Sequence, residues 1–171
     1  MNDGWMLPDE VTTWIDENLS KGSTIVEFGS GHGSVALSSR FNLISVEHDE
    51  NWLNLSNGTY VHAEIVQNPI SSQHNQTGWY DPESLVNLPD FADLIIVDGP
   101  PGDIGRIGIL HHLALLPKSN YWIVDDTDRE AEAILLENLV SEFDVIDQIE
   151  IISSASRNNG DHRKSTVLIL R

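Results

Sequence analysis

Apolar residues in this chain recur with two different periods. Over residues 7–19 they fall at Val11, Trp14, Ile15 and Leu19, the stripe of an amphipathic helix. Pro8 suits the first turn, Asp9 and Glu10 suit the positive end of the helix dipole, and Lys21-Gly22-Ser23 ends the element. Beyond that point the apolar residues gather into short dense runs of strand length. These lie at 24–28 (TIVEF), 42–47 (NLISVE), 59–66 (TYVHAEIV), 93–98 (DLIIVD) and 121–124 (YWIV). The connections carry helical signals. Glycines follow the first run, His48-Asp49-Glu50-Asn51 offers helix-start chemistry after the second, and Ile104, Ile107, His111, Ala114 and Leu115 share one face after the fourth. Thr127 and Glu130 fit a capping box opening a helix with Ala131, Ile134, Leu135 and Leu139 inward.

Two further runs, 143–152 and 165–170, bracket the turn-rich Asn158-Asn159-Gly160-Asp161 and predict a closing antiparallel hairpin. Strands alternating with helices predict an α/β fold, a three-layer sandwich around a mostly parallel sheet. Residues 67–91 break the pattern. They are polar, hold prolines at 69, 82 and 89, and show no strong period, which suits a lid or binding loop. Trp79 and Tyr80 inside it fit either a wall of a ligand pocket or a small satellite core that pins the loop.

Composition narrows the classes of function. At 171 residues the chain suits one domain, 1–171, with room for a real core. Its formal charge of −18, from 27 acids against 9 basic residues, argues against nucleic acid and anionic membranes as partners. The acids are spread along the chain, as on a solvated acidic surface, and adaptation to high salt is one explanation. Cysteine is absent, which excludes disulfides and thiolate metal sites. The opening MNDGWMLPDE resembles neither a signal peptide nor a membrane span, so a soluble, cytoplasmic protein is expected.

In such folds ligands bind beyond the carboxyl ends of the strands. Four strand ends here carry acids: Glu27, Glu47, Asp98, and Asp125 with Asp126. The turn after the first strand, EFGSGHGS, places Gly29, Gly31 and Gly33 at alternate positions behind Glu27. A dinucleotide fingerprint has the spacing GxGxxG, and its third glycine is Ser34 here; with Glu27 before the first glycine, a pyrophosphate is disfavoured and a ligand with an ammonium group is favoured. Glu47, eighteen residues beyond Gly29, lies where an acid accepts both hydroxyls of a ribose. Together they indicate an adenosine-type ligand.

EFGSGHGS, SVEHDENW, DLIIVDGPPG and WIVDDTDR, in this order, resemble class I S-adenosylmethionine-dependent methyltransferases. Among these they look most like the small O-methyltransferase families that include the macrocin and glucuronoxylan enzymes, with the resemblance carried by residues 24–130. It implies a Rossmann-like, seven-stranded sheet of order 3-2-1-4-5-7-6 with the last strand antiparallel. It implies Glu27 near the methionine ammonium, Gly29, Gly31 and Gly33 against the amino-acid and ribose parts, Glu47 on the ribose and His48 beside the adenine. Metal-dependent relatives hold a divalent cation with acids at the ends of the fourth and fifth strands, which maps to Asp98, Asp125 and Asp126.

Three converging carboxylates repel one another unless a cation or protons neutralise them, and oxygen-only ligands favour Mg²⁺, Mn²⁺ or Ca²⁺. Alternatively, Asp126 with Thr127 caps the next helix and Asp125 bonds loop backbone. Pro101 stands where catechol-type relatives carry a lysine base, so a base would be Asp98 itself or a histidine such as His32. His111 reads as a core histidine on an apolar stripe. Arg106 and Arg129 fit a clamp on an acceptor carboxylate, or ion pairs with nearby acids, the reading that this composition favours. The expected activity is methyl transfer to an oxygen of a small molecule, such as a sugar, a phenol or a carboxylate-bearing compound. Metal-free transfer to nitrogen or carbon, and a non-catalytic cofactor-binding module, are the alternatives.

Overall fold

The structure is a computed structural model that describes residues 6–171; Met1–Trp5, the first part of the acidic opening stretch, lie outside the described residues. Helix α1 (Asp9–Asn18) precedes strand β1 (Thr24–Phe28), and helix α2 (His32–Ser38) leads to β2 (Asn42–Glu47) and β3 (Thr59–His62). The chain continues through β4 (Ile65–Val66), α3 (Pro69–Gln73), β5 (Trp79–Tyr80), β6 (Leu94–Val97) and β7 (Tyr121–Val124). Helix α4 (Glu130–Glu142) and the long strands β8 (Val145–Ser156) and β9 (His162–Leu170) complete it.

Seven strands form one sheet in the order β3-β2-β1-β6-β7-β9-β8. Counting only these seven, this is the 3-2-1-4-5-7-6 order. Neighbours from β3 to β7 are parallel, and β9 runs antiparallel to both β7 and β8. Strand alternation divides the core between two faces. Val26, Phe28, Ile95, Val97, Trp122, Val124 and Leu168 point into one cluster with Leu135 and Leu139 of α4. Ile25, Leu94, Ile96, Ile123 and Val167 point into the other with Val11 and Ile15 of α1 and Leu37 of α2. Each fully buried aliphatic side chain of this kind contributes about 1.5–3 kcal/mol of transfer free energy. Among the described residues, no helix is long and apolar enough to cross a membrane.

The segment 67–91 is ordered by its own side chains. Asn68 accepts the N–H groups of Ile70 and Ser71 at 3.0 Å each and donates to the Gly108 carbonyl at 3.1 Å, which caps α3 and ties it to the chain beyond β6. Strands β4 and β5 pair antiparallel. Trp79 and Tyr80 are fully buried against Phe28, so they belong to the main core.

Three helical expectations are corrected. The connection after β2 is a single 3-10 turn, Glu50–Trp52, because Leu53 is already extended. After β6 the chain forms 3-10 turns over Ile107–Leu115, kinked at His112. Here Gly108 lies so close to β5 and α3 that an added Cβ would meet Trp79 Cβ at 2.5 Å and Ser71 Oγ at 2.6 Å, so the backbone itself fills the space a regular helix would need. His111 is exposed and lies edge-on to His112, which stacks on Trp79. Third, Thr127 does not cap α4. Its hydroxyl bonds Thr166 Oγ1 at 2.9 Å, the helix starts at Glu130, and Glu132 instead of Ala131 turns inward.

Candidate functional site

A cleft of about 590 Å³ opens beyond the carboxyl ends of β1, β2, β6 and β7. Its floor is made by two glycines. Gly29 follows β1 at φ +92°, and a Cβ added to it would lie 2.8 Å from Gly99 Cα; one added to Gly99 would lie 2.7 Å from Gly29 Cα. Only glycine fits both places, so the two turns pack backbone against backbone, and both glycines line the cleft. The tips are tied by Gly29 N–H to the Val46 carbonyl at 2.9 Å and Asp98 N–H to the Phe28 carbonyl at 3.0 Å. The Gly99–Pro100 bond is cis.

On the β2 side the cleft is lined by Ser30, Glu47, His48, Asp49 and Trp52. The buried Glu47 carboxylate accepts Ser30 N–H at 2.8 Å, His48 N–H at 2.7 Å and Asp49 N–H at 2.8 Å, so it holds the glycine turn and the β2 turn together. His48 Nδ1 lies 2.9 Å from the same carboxylate. His32 does not line the cleft. It is exposed at the start of α2, with its ring edge-on to Trp52 at 5.3 Å.

Glu27 sits under the turn, in a narrow recess shared with Gly29, Gly31, Gly33, Ser34 and Asp98. It accepts hydroxyl hydrogens from Ser34 at 2.5 Å and Ser45 at 2.6 Å. Burial pushes its carboxyl up to about 7; the two serines oppose the shift and the Glu47 charge adds to it.

Asp98, Asp125 and Asp126 converge as expected. Each offers one carboxylate oxygen, all within 4.8 Å of one another, the spacing of a candidate metal-binding triad. Asp98 faces the cleft with its side chain 26 % exposed. Desolvation, then the Asp125 charge, pushes its carboxyl well above the ordinary range, with Arg106 opposing and Asp126 reinforcing.

Four arginines hold these acids. Arg106, 4 % exposed, donates to Asp126 Oδ2 at 3.1 Å, to the Asp125 carbonyl at 3.2 Å and to the Pro100 carbonyl at 3.1 Å. Arg129 reaches Asp126 Oδ2 at 3.2 Å. Arg157 bridges Asp126 and Asp128, and Arg163 donates to Asp125 Oδ2 at 2.6 Å. Ser165 donates to the other Asp125 oxygen at 2.6 Å. Burial opposes ionisation of Asp126, yet Arg106, Arg157, Arg129 and Arg163 keep its carboxyl below the usual range. Asp126 therefore caps no helix; it adopts φ +60° at the centre of an ion-pair cluster.

The structure thus brings Glu27, Glu47, His48, the glycine turn and Asp98 around one cleft and recess, and adds Asp49, Trp52 and Ser34 to the lining and Ser45 as a partner of Glu27. Arg157, Arg163 and Ser165 come from the terminal hairpin, 29–40 residues beyond their acid partners, so no local pattern announces them. Arg106 and Arg129 are ion-paired.

No family model matches the chain, and no curated protein matches its sequence. Solved structures do match its fold. The precorrin-6Y C5,15-methyltransferase of Geobacter metallireducens aligns with a TM-score of 0.58 at 14 % identity, covering 99 % of this chain and 95 % of that one. The precorrin 8W decarboxylase of Methanobacterium thermoautotrophicum gives 0.57 at 17 % identity, over 95 % and 88 %. An O-methyltransferase of Bacillus cereus, in complex with S-adenosylhomocysteine, gives 0.56 at 12 % identity, over 94 % and 78 %. The chain has the Rossmann-like fold of S-adenosylmethionine-dependent methyltransferases, shared with several of their families and singling out none.

Proposed function

We propose that this protein is an S-adenosylmethionine-dependent methyltransferase that methylates an oxygen of a small-molecule acceptor. The observation that carries the reading is the cradle at the strand tips, where Gly29 and Gly99 leave room for no side chain. Two acids, Glu27 beneath it and Glu47 beside it, suit opposite ends of a nucleoside that carries a free amino-acid group. The residues present fit the cofactor: Glu27 would meet its ammonium, the glycines its backbone-facing edge, and Glu47 and His48 its ribose and adenine. When bound, the cofactor supplies an activated methyl group.

The chain's own part is to hold the acceptor and manage its proton. Asp98 faces the cleft, and in its ionised form its raised carboxyl is a stronger base than an ordinary carboxylate, suited to taking the proton of an acceptor hydroxyl. Arg129, 42 % exposed at the cleft, can meet an acceptor carboxylate with the donors it does not give to Asp126. His32, named with Asp98 as a candidate base, has a position better suited to buttressing Trp52. A second reading, transfer assisted by Mg²⁺, Mn²⁺ or Ca²⁺, is favoured by the 4.8 Å convergence of the acid triad and opposed by the arginines on the same oxygens.

Calorimetry with S-adenosylhomocysteine and, separately, NAD is the first test. Saturable one-site binding of the former alone supports the proposal, and its absence overturns it. Methyl transfer from a labelled donor to hydroxyl and amine acceptors then separates oxygen from nitrogen chemistry. Tight binding without turnover on any acceptor favours a non-catalytic module.

A further inference from the structure

The acid triad has the spacing for a divalent ion but not the free donors. Asp125 has both oxygens engaged, one by Ser165 and one by Arg163, and Asp126 has both engaged by arginines. Within the cluster five carboxyl groups, Asp98, Asp125, Asp126, Asp128 and Glu132, face four guanidinium groups. A divalent ion would have to displace arginines from oxygens it needs, and its charge would find little left to neutralise. The residues do not fit the metal.

We infer that the guanidinium of Arg106 is the resident cation of this centre and stands between the β6 and β7 acids in place of a metal ion. Its Nη2 lies 3.1 Å from Asp126 Oδ2 and 3.7 Å from Asp98 Oδ1, and its Nε lies 4.0 Å from Glu132 Oε1. Backbone carbonyls of Pro100 and Asp125 take two more of its N–H groups, so the planar fork is fixed on both sides.

The local chain is shaped to deliver it. Gly105 adopts φ +100°, and a Cβ there would fall 2.1 Å from Gln76 Oε1. That same oxygen accepts the Ile107 N–H at 3.0 Å, which pins the turn on both sides of Arg106. Arg106 is a positioning residue: it holds Asp98 at the mouth of the cleft and leaves its carboxyl to the acceptor.

The test needs neither methyl acceptor nor turnover, so it stands apart from the proposed activity. Mn²⁺ is titrated into the full chain and followed by electron paramagnetic resonance, with Mg²⁺ and Ca²⁺ melting series at constant ionic strength. The expected result is no discrete Mn²⁺ site and a melting temperature unchanged by Mg²⁺, Ca²⁺ or chelator. A single Mn²⁺ site that is lost in Asp98→Asn overturns the inference. In Arg106→Met the melting temperature should fall by about 10 °C, as for a buried ion pair stripped of one partner. Mg²⁺ in large excess should then recover about 5 °C of it. A folded Arg106→Met that ignores Mg²⁺ refutes a shared place for guanidinium and ion; if that variant does not fold, the wild-type titration decides.

Discussion

If Glu27 holds the ammonium as proposed, raising the pH from about 6 to about 8 should tighten binding of S-adenosylhomocysteine about tenfold, because only an ionised Glu27 would pair with it. With its carboxyl at about 7, Glu27 is roughly 10 % ionised at the lower pH and roughly 90 % at the higher. The apparent Kd scales inversely with that fraction. The ligand's α-ammonium stays protonated over this range, so the change belongs to the protein. Folding shows the opposite trend. The folded value lies above the ordinary 4.5, so the favourable contribution of neutral Glu27 is complete below about pH 4.5 and is lost as pH rises through about 7. Its full size is about 3 kcal/mol. Calorimetric titrations in buffers of different ionisation enthalpy measure Kd and proton release together. Glu27→Gln should bind weakly with a flat pH profile. Wild-type affinity that is flat or falls over this range, or a slope that persists in Glu27→Gln, refutes the assignment of Glu27 to the ammonium.

Other outcomes follow from packing and charge. Gly29→Ala combines a φ of +92° with a Cβ 2.8 Å from Gly99 Cα, so it should destabilise the fold by at least about 2 kcal/mol and lower the melting temperature by about 4–8 °C. Gly160→Ala, at φ +88° with open space around it, should lose only about 1 kcal/mol, which isolates the crowding. Trp79→Ala should lower stability to urea by about 3–5 kcal/mol, since its ring is fully buried in the core; a near-neutral effect would restore the lid reading of residues 67–91. Asp128 is held down to about 2: burial opposes this, and hydrogen bonds from Arg157 and Lys164 N–H outweigh it. Its stabilising contribution is present above about pH 3.8 and lost as pH falls through about 2, so Asp128→Asn should cost about 1 kcal/mol after solvent screening at neutral pH. Melting curves of the two proteins should draw together only as the pH falls to about 2.

The parts of the fold legible in the sequence are those written in local period. The buried strands β1, β2, β6 and β7 and the closing hairpin follow from dense apolar runs, and the acids at their tips follow from position alone. What escaped depends on distant partners. Strands β4 and β5 are two residues long and exist because they pair with each other. The apolar face at Ile104 to Leu115 looks helical, but Gly105 and Gly108 let the backbone press on Gln76 and Trp79, and contact at that range favours 3-10 turns. Thr127 and Glu130 have capping spacing, yet Thr166 from a neighbouring strand takes the hydroxyl. At the site, the acid triad could be foreseen from strand ends, and Arg106 and Arg129 as ion-pair partners from their place close behind the acids, whereas Arg157 and Arg163 could not. Arg157 and Arg163 reach it only because β9 runs antiparallel beside β7.

Gathering Arg106, Arg129, Arg157 and Arg163 around one centre leaves the rest of the molecule with five of its nine basic residues against 22 of its 27 acids. Seen from a distance, the protein is an almost unrelieved negative field whose strongest local neutralisation lies at the cleft. Such a field accelerates the approach of cations and is indifferent to neutral molecules, with a reach that salt shortens to about 10 Å or less. A sulfonium donor with a net positive charge would arrive faster than its uncharged product, and the advantage would shrink as salt is added. Under the proposed function, the same distribution of charge would bias traffic through the cleft toward fresh donor.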